Sequence, residues 1–351
     1  MVYRILVGSY SDEIVTLAFD PDARTLEATS ALKVGHHPSW LTAHPAHPSL
    51  VRTGLEQSDG RIITVSYDES GKGTILSDVP SGGQDPCCLL ALEDEILVAN
   101  YSSGTIGILP LDPKNAQPAS ALSTIQLRGT GPNAARQEGS HPHQVLVHAE
   151  NEELLVADLG ADIVHRLQKT TSGSWELRGH VGFAAGGGPR HVALHDGALF
   201  TLLELGSKIV RHRFPPLPAL PKLVASVPTM AHPPPTPNDM LAAEVLIPAP
   251  NVAFPTPYLY LSNRNDPSPE GDTIAVFSIS APDSLDLVAE FRTGLRHLRG
   301  LVFGGPDARY VVAGGANGGG VKVFERINGG TGFALVAALD SVNAPTAFLW
   351  L

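Results

Sequence analysis

The strongest constraint in this chain is a repeat. The phrases Asp85-Pro86-Cys87-Cys88, Ser140-His141-Pro142-His143-Gln144 and Gly188-Pro189-Arg190-His191 each place a proline and polar or titratable groups at the opening of a strand-like run. Each is followed by a second apolar run that ends on a polar residue: Ile96-Leu97-Val98-Ala99-Asn100, Leu154-Leu155-Val156-Ala157-Asp158 and Leu199-Phe200-Thr201-Leu202-Leu203-Glu204. His37-Pro38-Ser39-Trp40 opens an earlier copy, so Pro38, Pro86, Pro142 and Pro189 follow one another at steps of 48, 56 and 47 residues. A period of about 50 residues belongs to solenoids, propellers or arrays.

The units are built of strands. Tyr3 to Val7 and Glu13 to Phe19 are short apolar runs parted by Gly8-Ser9-Tyr10-Ser11, and similar runs recur about every ten residues, the pattern of an all-β chain. With 35 Gly and 30 Pro in 351 residues, and 43% apolar residues, the composition suits many short strands joined by tight turns, with almost no helix. The stretch from about 214 to 238 carries nine prolines between Pro215 and Pro237, too many for a central strand, and is expected to be an excursion holding one outer strand, Lys222 to Val227. The repeat resumes at Met240 to Ile247, with Tyr258 to Arg264 and Thr273 to Ile279 behind it, and again at Leu298-Arg299-Gly300.

The ends complete the count. Asn343 to Leu351 reads as the opening of a unit, whereas the first residues read as a continuation without an opening. Joined, they make a seventh unit, which is how a closed ring removes its free sheet edge. The expected fold is all-β: a seven-bladed β-propeller closed by pairing of the N- and C-terminal strands, as one circular domain over 1–351. A WD40 propeller is excluded, because its repeats are shorter and none of Trp40, Trp175 and Trp350 precedes an Asp.

A formal net charge of −11 gives no long-range attraction for nucleic acid or anionic lipid, so neither is expected as a partner. The two cysteines, Cys87 and Cys88, are adjacent and cannot cross-link distant parts of the chain. With no apolar run of signal-peptide or membrane-span length, the expectation is a cytoplasmic protein.

In such a ring, the start of each first strand and the end of each second strand lie on one face, around the channel mouth. This polarity selects His141, His143, Pro189, Arg190 and His191 as strand starts, and Asn100, Asp158, Glu204, Asn263 and Arg264 as strand ends. His141 and His143 stand at i and i+2, but no third and fourth ligand has metal-site spacing, so hydrogen bonding rather than metal is expected of them. Asp158, before Leu159-Gly160, fits a turn carboxylate bonding backbone amides. Glu204 stands where sibling units place Asn100 and Asp158, and burying it there is costly unless an arginine pairs with it. The glycine runs Gly186 to Gly188 and Gly314 to Gly320 lack the context of a phosphate-binding loop and read as turns.

From His141-Pro142-His143-Gln144-Val145 through Asp158-Leu159-Gly160-Ala161-Asp162, Gly188-Pro189-Arg190-His191 and Ser262-Asn263-Arg264-Asn265-Asp266, the sequence resembles the seven-bladed lactonase family. That family includes propeller-type bacterial 6-phosphogluconolactonases and the fungal carboxy-cis,cis-muconate cyclase. The resemblance runs over nearly the whole chain. It implies catalytic roles for His143, Arg190, Glu204 and Arg264, although Leu203-Glu204 replaces the more usual asparagine-glutamate pair. The remaining strand-polarity residues His141, His191, Asn263 and Asn100 are candidates for substrate binding.

The expected activity is opening of a small lactone bearing a carboxylate or phosphate. Arginines would hold the anion and stabilise the oxyanion, and His143 or Glu204 would act as general base, toward water in hydrolysis or toward a carbon acid in a cycloisomerase. No metal or organic cofactor is expected. The alternative is a non-catalytic binding scaffold, which would present aromatic and apolar groups at the rim; here the rim is ionic, with Tyr101 the main aromatic.

Overall fold

The computed structural model describes residues 1–119, 121–233 and 239–351. These residues hold 28 strands in seven antiparallel sheets of four. Blades 2 to 7 begin with the inner strands Pro38–His44, Pro86–Ala91, Pro142–His148, Pro189–His195, Leu241–Leu246 and Arg296–Gly304. Blade 1 combines Pro345–Trp350 with Tyr3–Ser9, Glu13–Asp20 and Thr25–Lys33, and places Ile5 opposite Trp350 and Val7 opposite Phe348. The two ends of the chain thus close the propeller as the split unit requires. Helix is confined, among the described residues, to three single 3-10 turns, and no helix is long and apolar enough to cross a membrane.

Each blade is covered on both faces by its neighbours, which explains the unbroken apolar runs. Glu95–Asn100, Glu153–Asp158 and Ala198–Leu203 are buried at every residue. Outermost strands such as Asp286–Arg292 alternate exposed and half-buried positions, the period expected with one solvated face. The apolar side chains form seven clusters, one at each junction between blades. At the closing junction Tyr310, Val312 and Val323 pack on Ile5, Leu17, Phe19 and Phe348. Each such side chain contributes about 1.5–3 kcal/mol when fully buried.

Lys222–Pro228 forms the outer strand of blade 5, in the middle of the proline-rich excursion. The end of that excursion, residues 234–238, lies outside the described residues.

One irregularity recurs around the ring and shapes the mouth. In every inner strand the ladder slips by a residue near its start. Pro142 pairs with Asp158 and Gln144 with Ala157, which leaves His143 unpaired. Pro189 pairs with Leu203 and His191 with Leu202, which leaves Arg190 unpaired. Ser39, Cys87, Arg299 and Thr346 are left over in the same way. Bulges re-aim a side chain and bend the strand, and a preceding proline, lacking an N–H, suits the place where the ladder stops. The bulged residues meet across blades: Cys87 Sγ lies 3.6 Å from the carbonyl oxygen of His143, and Thr346 Oγ1 donates to the Ser39 carbonyl at 3.1 Å.

Candidate functional site

The site is organised by Glu204. It follows the strand Ala198–Leu203, its backbone N–H donates to the Gly188 carbonyl at 2.7 Å, and the residue is 1% exposed. One carboxylate oxygen accepts from Arg136 Nη2 at 2.7 Å, and the other pairs with Arg190 Nη1 at 2.6 Å and Arg264 Nη2 at 3.0 Å. Burial alone would raise this carboxyl, but the charges of Arg264, Arg190 and Arg136 outweigh it and hold Glu204 well below the usual carboxylate range.

Each arginine is fixed by a different device. Arg190 is the bulged residue of blade 5, and its Nε donates to the Ala243 carbonyl at 2.8 Å. Arg264 ends the strand Tyr258–Arg264 and donates to the Ala242 carbonyl at 3.2 Å. Arg136 comes from the loop between blades 3 and 4. Gln137, fully buried, pins that loop by donating to the Leu159 carbonyl at 2.9 Å and Asp162 Oδ1 at 2.8 Å. The loop lies so close to blade 4 that a Cβ at Gly160 would fall 1.8 Å from the Gly139 carbonyl oxygen, so only glycine fits there.

His143 takes a hydrogen bond at Nε2 from Arg190 Nη1. An arginine can only donate, so this imidazole is neutral with its proton on Nδ1. Burial first, then Arg190 and His191, hold it well below the usual histidine range. His191 donates from Nδ1 to Glu244 Oε2 at 2.8 Å. A further arginine, Arg299, is the bulged residue of blade 7; its Nη2 lies 3.4 Å from Glu56 Oε2 and its guanidinium sits over the Tyr10 ring at 4.8 Å. Four guanidiniums thus face two carboxylates, Glu204 and Glu56, making a positive well in a chain of net charge −11.

The structure therefore brings together His143, Arg190, Glu204 and Arg264, with His191 in the adjoining layer. His141 is set aside from Glu204: its ring stacks on Tyr101 at 4.4 Å, its Nδ1 meets the Tyr101 carbonyl oxygen at 2.9 Å and its Nε2 meets Glu138 at 3.1 Å. Asn100 and Asn263 occupy equivalent places in blades 3 and 6. Asn100 Nδ2 donates to the Ser81 carbonyl and Thr105 Oγ1, and Asn263 Nδ2 to the Thr229 carbonyl and Thr273 Oγ1. Asp158 accepts from the backbone N–H groups of His141 and Ala161, from Ser140 Oγ and from His165, which is turn and strand fastening. Among the described residues, no group of three or more His, Cys, Asp or Glu side chains is placed to hold a metal ion.

Sequence reasoning missed Arg136, Arg299 and Glu244. Arg299 had a signal, since Leu298-Arg299-Gly300 is the counterpart of Pro189-Arg190-His191. Arg136 had none: it lies in a loop outside the repeat.

Comparison with known proteins agrees with this fold. A family model described as a lactonase with a 7-bladed beta-propeller matches residues 4–350. The 6-phosphogluconolactonase of Bacillus subtilis is 26% identical over 362 residues, covering 98% of this chain and 97% of that protein. The 6-phosphogluconolactonase of Formosa agariphila is 22% identical over 340 residues, covering 92% of each. The solved structure of the periplasmic gluconolactonase of Pseudomonas aeruginosa superposes with a TM-score of 0.81 at 22% identity, covering 100% of this chain and 99% of that one. The chain belongs to the lactonase family of seven-bladed β-propellers.

Proposed function

We propose that this protein hydrolyses a small anionic lactone of the sugar-acid type at the mouth of the channel, with His143, Arg190, Glu204 and Arg264 as its working residues. The observation that carries the reading is the gathering of Arg136, Arg190 and Arg264 on the single buried carboxylate of Glu204. Three cations to one anion leave positive charge unspent in a place sheltered from water, where it acts strongly on an anion or a developing oxyanion. In this reading Arg190 and Arg264 polarise the lactone carbonyl and Arg136, from its loop, meets the anionic substituent. Glu204 holds the guanidiniums in register.

The names of the relatives from Bacillus subtilis and Formosa agariphila support hydrolysis and a phosphorylated sugar-acid lactone as substrate class. A metal-free mechanism is supported by the donor chemistry, because the Glu204 carboxylate and the His143 Nε2 lone pair are already taken by guanidiniums. A binding scaffold fits poorly, since the groups converging here are buried charges rather than an apolar patch.

The test is turnover of purified protein on a panel of sugar-acid lactones, phosphorylated and not, beside carboxymuconolactone, with and without chelator. Hydrolysis of a sugar-acid lactone, undiminished by chelator, is expected. Turnover confined to carboxymuconolactone would reassign the protein as a cycloisomerase, and reversible loss on chelation would overturn the metal-free mechanism.

A further inference from the structure

Neither group expected to serve as base has a lone pair that is both free and basic. Glu204 is an anion shared among three guanidiniums, and His143 Nε2 is occupied by Arg190. The ring next to His143 is different. His191 donates its Nδ1–H to Glu244 in a hydrogen bond, and a carboxylate can only accept, so the lone pair of this imidazole sits on Nε2. His191 Nε2 is buried and without a protein partner, and so is His143 Nδ1. One atom is an acceptor, the other a donor, and their rings lie 5.3 Å apart, centroid to centroid, at 64°.

Buried polar groups without partners call for an explanation, and a complementary pair on adjacent rings has a simple one. A single water can accept from His143 Nδ1–H and donate to His191 Nε2. Such a water would be held by the residue that follows Arg190 in the chain and oriented by the imidazole that Arg190 holds.

We propose that His191, backed by Glu244, is the general base of the site, and that the water between His143 and His191 is the nucleophile; this rests on the lactonase reading. The oxygen of that water bonds to the lactone carbonyl carbon while its proton passes to His191 Nε2. Glu244 stabilises the imidazolium through Nδ1–H, and Arg190 and Arg264 receive the oxyanion. When the intermediate collapses, the bond from the carbonyl carbon to the ring oxygen breaks, and the His191 proton goes to that oxygen. The product is the open hydroxy acid, whose carboxyl proton is released to solvent. Glu244 also lines a cavity of about 280 Å³ with Trp40, Gln144 and Thr346.

The charged and titratable groups around His191 are Glu244 from blade 6, His143 from blade 4, Arg190 on its own strand and Arg299 from blade 7. The Cys88 thiol of blade 3, near Glu244, is pushed up to about 12 by burial and stays neutral. Burial lowers His191 while Glu244 opposes that in part. Removing the Glu244 charge should therefore lower it further.

The experiment compares wild type, Glu244→Gln and His191→Gln on the best lactone, with pH profiles and melting temperatures, and assigns the histidine tautomers of the wild type by ¹⁵N NMR. His191→Gln should lose about 100- to 10,000-fold in kcat, the usual contribution of a general base. Glu244→Gln, which still accepts from Nδ1–H, should lose roughly tenfold or more in kcat and move the acid limb of kcat/KM to lower pH, with KM little changed. The NMR spectrum should show His191 protonated at Nδ1, titrating with that limb. Full kcat with an unmoved limb in both variants, or a proton on His191 Nε2 alone, would overturn the assignment and leave the lactonase reading standing. A wild type inactive on every lactone would overturn the lactonase reading and this assignment with it.

Discussion

Glu153 and Glu204 are buried carboxylates of neighbouring blades, both held by arginine, and they sit at opposite ends of the second strand. Glu153 opens its strand on the face away from the mouth. Its two oxygens take Arg166 Nε and Nη2, each at 2.7 Å, and one also accepts the Leu217 N–H at 3.1 Å. Arg166 spends its other N–H groups on the Ala219 and Pro215 carbonyls and lies over the Phe214 ring at 4.3 Å. One charge meets one charge there, and the proline-rich excursion supplies the remaining partners. Glu204 has one charge against three, with Arg264 Nε and His143 Nδ1 left buried and unpartnered. A balanced, saturated pair can only hold the fold together, whereas an unbalanced and unsaturated one retains capacity for a ligand.

The largest expected effect breaks the balanced pair. Arg166→Met strands Glu153 without its cation and should cost about 3–5 kcal/mol in urea unfolding. The double variant Glu153→Leu with Arg166→Met should recover most of that, while turnover per folded molecule stays within about twofold of wild type in both. A loss of turnover at full stability would erase the distinction between the two regions.

Arg190→Lys is the converse. It keeps the charge near Glu204 but loses the planar fork, and loss of one oxyanion donor lowers kcat by about 100- to 1,000-fold. Its unfolding free energy should fall by less than that of Arg166→Met. Equal turnover by wild type and variant on the best lactone would remove Arg190 from the chemistry.

Acid should separate wild type from Glu204→Gln. Because the folded carboxyl lies well below its ordinary value of 4.5, its ionisation stabilises the fold above that pH, and the contribution is lost as pH falls through the folded value. Melting temperatures taken from neutral pH downward should therefore converge for wild type and Glu204→Gln below pH 4.5. A constant gap would show that the three arginines do not depress this carboxyl.

Salt should have the smallest effect. KM for an anionic lactone should rise by no more than a few-fold as ionic strength increases, because the guanidiniums are sheltered and screening acts mainly on the approach. The Arg166→Met stability difference should be indifferent to salt. A steep rise in KM would mean the anion is held by exposed charges instead.

The sequence by itself determined what is local or periodic. A step of about 50 residues, short strands and a split unit at the two ends required a closed propeller of seven blades, because an open ring leaves an unpaired edge. Strand polarity placed His143, Arg190, Glu204 and Arg264 on one face, since the direction of a strand says which face its ends reach. Tertiary structure alone decided which of these side chains meet, because that depends on the bulges that turn Arg190 and His143 out of their ladders and toward each other. It drew Arg136 in from a loop with no repeat signal, through the seat of Gln137 on Leu159 and Asp162. It also turned His141 onto Tyr101 and paired His191 with Glu244 across two blades. Contacts between residues 53 or 68 positions apart, as in His191–Glu244 and Arg136–Glu204, are made by the packing of blades around the channel, which no local pattern encodes.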